Sequence, residues 1–163
     1  MMTTRSTDII PVLTPEELAT VRGLMLEYAA ERGLDLGFQG FDREVATLPG
    51  AYGGPAGTLF LARLDGAPVG CVGVRPSSPG IAELKRLYLR AAARGSGLGR
   101  ALVVSALQWA RGAGYTAMRL DTVPGMEAAQ QLYRSLGFRE IDPYRHNPIA
   151  GVRFFERDLG IPV

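Results

Sequence analysis

The 163-residue sequence predicts an α/β (α+β) fold: a mixed, mostly antiparallel sheet of six to seven strands with helices on both faces. Two observations carry this. Three apolar, strand-like runs at 58–64, 68–75 and 81–89 follow one another across short turns, the pattern of an antiparallel meander. The pattern then switches to helix (97–110), strand (115–123), helix (126–136) and two closing strands (138–141 and 152–159). A helix between the third meander strand and the next strand makes those two parallel by a crossover connection.

In chain order, 9–13 is a short apolar run and a first strand. Thr14, Pro15 and Glu17 together start a helix, as cap, first-turn proline and the return half of a capping box. Leu18, Val21, Met25 and Tyr28 repeat at helical spacing, and Gly33 stops it. A second helix is expected over 41–48, and the Gly/Pro-rich 49–57 is a loop. Asp65-Gly66 turns the first hairpin, and 76–80, with two prolines and a glycine, turns the second. In the helix at 97–110, Leu98, Leu102, Ser105 and Trp109 share a face, and Gly112-Ala113-Gly114 ends it. Gly137 closes the helix over 126–136, and 142–151 is a further loop. No internal repeat or linker appears, so residues 1–163 are expected to form a single domain.

Composition narrows the function. The net charge is only +2, which argues against nucleic acid or an acidic membrane surface as partner. One cysteine, Cys71, and one histidine, His146, leave no basis for a disulfide or a Cys/His metal centre, so no metal is expected. No signal-peptide pattern and no apolar run of spanning length is present, and a cytoplasmic location is the expectation.

The most informative stretch runs from Leu87 to Arg100. It is a strand end, a basic loop and a glycine-rich helix start. Helix starts present unsatisfied N–H groups and the positive end of the dipole, and glycines let an anion approach them. Arg90, Arg94 and Arg100 add charge nearby. A P-loop needs Lys and Ser/Thr after its last glycine, but Arg100-Ala101 stands there. A Rossmann fingerprint needs a third glycine, which is missing, although Asp121 stands near its acidic position.

Arg94-x-x-Gly97-x-Gly99 instead resembles the (Gln/Arg)-x-x-Gly-x-(Gly/Ala) signature of the GNAT superfamily of acyl-CoA N-acyltransferases. Glu83 to Leu89 looks like that family's central strand, and Leu132-Tyr133…Gly137-Phe138 like its second hallmark helix. The resemblance is good over 58–138 and looser at the flanks. It implies an acetyl-CoA-dependent N-acetyltransferase that acts on a primary amine of a small molecule by direct transfer in a ternary complex. A protein or peptide amine, and a catalytically silent acyl-CoA-binding or sensing module, stay open as alternatives, as does a homodimer.

The same resemblance implies site residues. Leu87, Tyr88 and Leu89 would meet the pantetheine arm, and Arg94, Gly95, Ser96, Gly97, Leu98, Gly99 and Arg100 the pyrophosphate. Backbone N–H near Leu87 would stabilise the oxyanion. Glu83 would be the base, the alternative being that it simply pairs with Lys85 on the same strand face. Tyr133 would act on the CoA sulfur, the alternative being a packed aromatic. Tyr28, Tyr52 and His146 are candidate substrate walls, the loops 34–57 and 142–151 would set the acceptor, and Cys71 and Asp121 are expected to be structural. The second hallmark helix of the family often begins with asparagine; Met126 stands there, so that contact is absent or comes from elsewhere.

Overall fold

The computed structural model describes residues 4–33 and 40–163. In chain order the elements are β1 (Thr7–Pro11), α1 (Pro15–Arg32), α2 (Phe41–Ala46), a 3₁₀ turn (Gly50–Tyr52), β2 (Thr58–Leu64), β3 (Ala67–Ser78) and β4 (Ile81–Leu89). A second 3₁₀ turn (Ala91–Ala93), α3 (Leu98–Gly112), β5 (Ala117–Thr122), α4 (Glu127–Ser135), β6 (Arg139–Ile141) and β7 (Arg153–Asp158) complete them. The sheet order is β1-β2-β3-β4-β5-β7-β6, and β4–β5 is its one parallel pair. The mixed α/β fold with a seven-stranded, mostly antiparallel sheet is the one the sequence predicts.

The helices divide between the faces. On one face Val21, Leu24 and Met25 of α1 and Phe41 and Val45 of α2 pack on Leu59, Leu61, Cys71 and Tyr88. On the other, Leu98, Leu102, Val103, Ala106 and Leu107 of α3 and Tyr133 of α4 pack on Val72, Val74, Leu84, Met118, Leu120 and Phe155. The Thr14–Glu17 capping box forms as the sequence predicts, with Thr14 Oγ1 accepting from the Glu17 N–H at 3.1 Å and Glu17 Oε1 from the Thr14 N–H at 3.0 Å. One turn moves: β3 continues through Pro76 to Ser78, where a turn over 76–80 is expected. The β2 ladder stops at Thr58↔Val74, so beyond Val74 β3 is bonded on the β4 side only, and an edge position tolerates a missing proline N–H.

Strand β4 carries the feature that shapes the rest. Its register against β3 shifts by one residue between Gly73↔Lys85 and Cys71↔Tyr88, and Arg86 within the shift has φ +60°. This is a β-bulge, which bends and twists its strand. It also inverts the alternation: Leu84 packs on the α3 face, whereas Tyr88, four residues on, packs on the α1 face. Pairing with β5 lasts only from Ile81↔Ala117 to Glu83↔Arg119, after which the two strands separate.

Two glycine substitutions test the packing. A Cβ on Gly73 would lie 2.7 Å from the Tyr52 ring, whereas one on Gly23, exposed within α1, would meet nothing within 4 Å. Gly73→Ala is expected to cost roughly 1–3 kcal/mol by overpacking. Gly23→Ala is expected to gain about 0.5–1 kcal/mol from helix propensity. Urea denaturation of the two variants reads both.

Candidate functional site

Where β4 and β5 part, two connected cavities open. The larger, about 480 Å³, is lined by Leu87, Tyr88, Leu89, Arg94, Gly95, Gly97, Gly99 and Arg100 on one side and by Met126, Ala129 and Leu132 on the other. The smaller and more enclosed, about 50 Å³, is lined by Lys85–Leu87, Leu120–Val123 and Tyr133. Tyr28, Leu87 and Met126 border both.

The glycines shape the larger cavity. Gly95 and Gly97 have φ +82° and +85°, a conformation that glycine adopts without strain, and a Cβ on either would meet nothing within 4 Å. No side chain caps α3 at Gly97. The Leu98 N–H reaches the Ser96 hydroxyl at 3.3 Å. The cradle therefore presents backbone N–H groups and a helix dipole to the cavity. Ser96 and Leu98 do not line it, and Leu98 is buried in the core.

Of the three arginines, Arg94 and Arg100 line the larger cavity and Arg90 does not. Arg90 is held by Glu27 of α1 at 2.6 and 2.9 Å, and Arg94 by Glu31, which also accepts from the Tyr88 hydroxyl at 2.7 Å. Their charge is spent in tying α1 to the end of β4. Arg100 donates to the Ser135 hydroxyl at 3.1 Å. Arg32, which the sequence reading missed, enters the lining of the larger cavity four residues after Tyr28, one turn along the same face of α1.

A chain of alternating charges crosses the sheet on the α2 side of the split. Glu44 of α2 binds Arg86 at 2.7 Å and Arg75 at 3.3 Å, and Arg75 donates to Glu83 at 3.0 Å. Arg145 lies 2.8 Å from Glu83 and 3.0 Å from Asp121, and Lys85 Nζ lies 3.6 Å from Asp121 Oδ1. Lys85 and Asp121 stand two residues beyond the registered Glu83–Arg119 pair, so a side-chain ion pair spans the split where backbone pairing has ended. Burial pulls the Asp121 carboxyl upward, but Lys85 and Arg145 outweigh it and hold the group below the ordinary carboxylate value. Burial pushes Lys85 down to about 7 against the pull of Asp121, and Arg86 and Arg145 add to the fall. Burial opposes the Arg86 charge, and Glu44 prevails and raises its pKa.

Glu83 sits at the centre of this chain rather than in the cavities. Arg75 and Arg145 flank its carboxylate, and the Tyr144 hydroxyl donates to Oε2 at 2.6 Å. Lys85 pairs with Asp121 across the split. Tyr133 lines the smaller cavity, with its ring against Phe138 and Phe155; burial raises its pKa. Tyr28 stands at the junction of the cavities.

Two expected walls lie elsewhere. Tyr52 is a buried core residue resting on Gly73, and His146 is exposed and lines neither cavity. The loop containing His146 nevertheless contributes through its neighbours: Tyr144 and Arg145 reach Glu83, and Asn147 lines the smaller cavity and donates to Asp121 at 3.2 Å. Asn147 thus brings an amide into the split where Met126 supplies none. Thr122 lines the same cavity, and its Oγ1 is buried and has no hydrogen-bond partner among the described residues. Cys71 is core, its thiol pushed up to about 12 by burial. Of the loop 34–57, residues 34–39 lie outside the described residues. Among the described residues no helix is long and apolar enough to cross a membrane.

The model of the acetyltransferase (GNAT) family matches residues 24–138. An uncharacterized N-acetyltransferase of Schizosaccharomyces pombe is 40% identical over 98% of this chain and 99% of its own length. A GNAT-family acetyltransferase from Staphylococcus aureus Mu50 superposes with a TM-score of 0.78 at 20% identity, over 94% of this chain and 99% of that one. A Salmonella typhimurium protein described as a putative acetyltransferase, solved with its cofactor acetyl-CoA, superposes with a TM-score of 0.71 at 19% identity, over 94% of each chain.

Removing the centre of the charge chain takes one carboxylate from Arg75 and one from Arg145, each of which keeps another, and leaves the buried cluster one negative charge short. Glu83→Ala is expected to destabilise the fold by roughly 3–5 kcal/mol. Urea denaturation checks this, with an unchanged m-value showing that the loss is one of stability.

Proposed function

The chain belongs to the acetyltransferase (GNAT) family and is an acyltransferase, and from that premise we propose that it moves an acetyl group from acetyl-CoA to a primary amine of a small molecule, by direct transfer in a ternary complex. The observation that carries this reading is the continuity of the β4–β5 split with an uncapped, glycine-rich start of α3. An extended arm and a diphosphate fit those two parts in that order. The 163 residues act in this reading as one transferase domain.

In this reading the backbone of Leu87 and Leu89 binds the pantetheine arm as an added strand, because β4 has no β5 partner beyond Glu83. The N–H groups from Arg94 to Arg100 hold the diphosphate. A backbone N–H near Leu87 stabilises the oxyanion of the tetrahedral intermediate. Tyr133 gives its hydroxyl proton to the departing thiolate; burial favours its neutral form, so the proton is present at neutral pH. Glu83 fixes Arg145 and Tyr144 beside the split and also binds Arg75. Cys71 forms no acyl intermediate, being buried and protonated. The narrowness of the inner cavity, about 50 Å³, supports a small acceptor over a protein segment.

Purified protein with acetyl-CoA and a panel of amines tests the reading. Release of free CoA with a small amine is expected. Tight acetyl-CoA binding without turnover would instead mark a binding module, and turnover confined to peptides would move the acceptor class. Tyr133→Phe is expected to lower kcat by about 100-fold with little change in KM for acetyl-CoA. A change confined to KM would reassign Tyr133 to binding.

A further inference from the structure

Eighteen side chains in this protein are lysine or arginine, and Lys85 is the only lysine among them. Every other cationic role, exposed or buried, is filled by arginine. The exception stands in the inner cavity, 4% exposed, on the strand where pairing with β5 has just ended. An ion pair that needed only a positive charge at Asp121 could be made by arginine, as Arg145 makes one on the same carboxylate. What lysine adds is the capacity to lose its proton, which arginine lacks.

The groups around Lys85 are set for that. Asp121 of β5 pairs with it, and Glu83 and Arg86 flank it on β4. Arg145 approaches from the segment between β6 and β7, while Tyr28 of α1, Tyr133 of α4 and Asn147 share its cavity. Burial and the two arginines bring it down to about 7, against the pull of the carboxylates. Thr122 lines the same cavity, and its buried hydroxyl has no hydrogen-bond partner among the described residues. Glu83, by contrast, borders neither cavity.

We propose that Lys85, oriented by Asp121, accepts the proton that the acceptor ammonium must lose before its nitrogen attacks the thioester. The proposal rests on the transferase reading above. The acceptor R–NH₃⁺ gives one proton to neutral Lys85 Nζ, and the freed lone pair forms the C–N bond as the thioester carbonyl becomes an oxyanion. The oxyanion collapses, the C–S bond breaks, and the thiolate takes a proton from Tyr133. The nascent amide nitrogen loses its second proton, which restores Tyr133. Lys85 returns its proton to water when products leave, so each turnover yields the amide, CoA–SH and one H⁺.

Because the chain has a single lysine, ¹⁵N-lysine labelling gives one ε-amine signal, readable without turnover. It is expected to titrate near pH 7 in the intact protein; a signal that stays protonated through pH 9 would overturn the proposal. Lys85→Met retains the bulk and removes the base. With an amine of ordinary basicity it is expected to lower kcat/KM about 100-fold at pH 7, a deficit that shrinks about tenfold per pH unit as the amine deprotonates by itself. A weakly basic amine, already neutral at pH 7, is expected to be acetylated at near wild-type rate. A deficit equal at every pH and for both amines would overturn the proposal. So would a raised KM limited to carboxylate-bearing amines, which would make Lys85 an anchor. Melting and acetyl-CoA binding control for folding. A wild-type protein that acetylates no amine removes the transferase reading and this assignment with it, whereas wild-type turnover with an unaffected variant removes the assignment alone.

Discussion

Backbone groups of a central parallel strand pair normally have every partner supplied, because an unpaired buried N–H or C=O costs as much as a lost hydrogen bond. Here the β4–β5 ladder stops at Glu83↔Arg119, although β4 runs six residues further and β5 three. The bulge at Arg86 produces the break. Its positive φ costs on the order of 1–2 kcal/mol for a side chain with a Cβ. Neighbours hold it there: Glu44 grips the guanidinium, which also lies 4.9 Å from the Phe41 ring centre, and Cys71 Sγ donates to the Arg86 carbonyl at 3.5 Å. The protein invests local strain to leave one strand edge open in the middle of its sheet, and both cavities follow from that opening.

The charged chain is the second consequence. A hydrophobic layer across the split would close it, while unpaired charges there would be expelled. Alternation from Arg86 through Glu44, Arg75, Glu83, Arg145 and Asp121 to Lys85 lets each buried charge meet its opposite. The elements it joins are α2, β3, β4, β5 and the segment before β7, so it fixes the wall of the split in place. Its end differs from its middle. Glu83 is enclosed by partners, whereas Lys85 and Asp121 border the cavity, which makes the end of the chain the part able to exchange protons with a bound molecule.

Much of the fold is legible in the sequence because it rests on local rules. The Thr14 cap, the Asp65-Gly66 turn and the stops at Gly33 and Gly137 need no tertiary information. The GNAT signature at Arg94–Gly99 likewise marks the cradle by its glycines. What escapes is whatever depends on register. Simple alternation gives no sign that Arg86 takes an extra position in β4, that Leu84 and Tyr88 face opposite sides, or that Lys85 meets Asp121 across a gap. The Arg90 and Arg94 charges appear available in the sequence and are neutralised by Glu27 and Glu31, sixty-three residues away in each case. His146 marks the correct loop but points outward, because Tyr144, Arg145 and Asn147 take the inward positions. The sequence does carry one signal for Lys85: it is the chain's single lysine, two residues after Glu83.

The central claim is that the open edge of β4 and the N-terminus of α3 together bind one extended, diphosphate-bearing molecule. Amide hydrogen exchange with and without acetyl-CoA measures this directly. The account predicts that acetyl-CoA slows exchange at Leu87 and Leu89 and over Gly95–Arg100 in the same titration, and leaves the amides of β1 and β2 unchanged. Protection of the α3 start without protection of β4, or no protection in either, would contradict it.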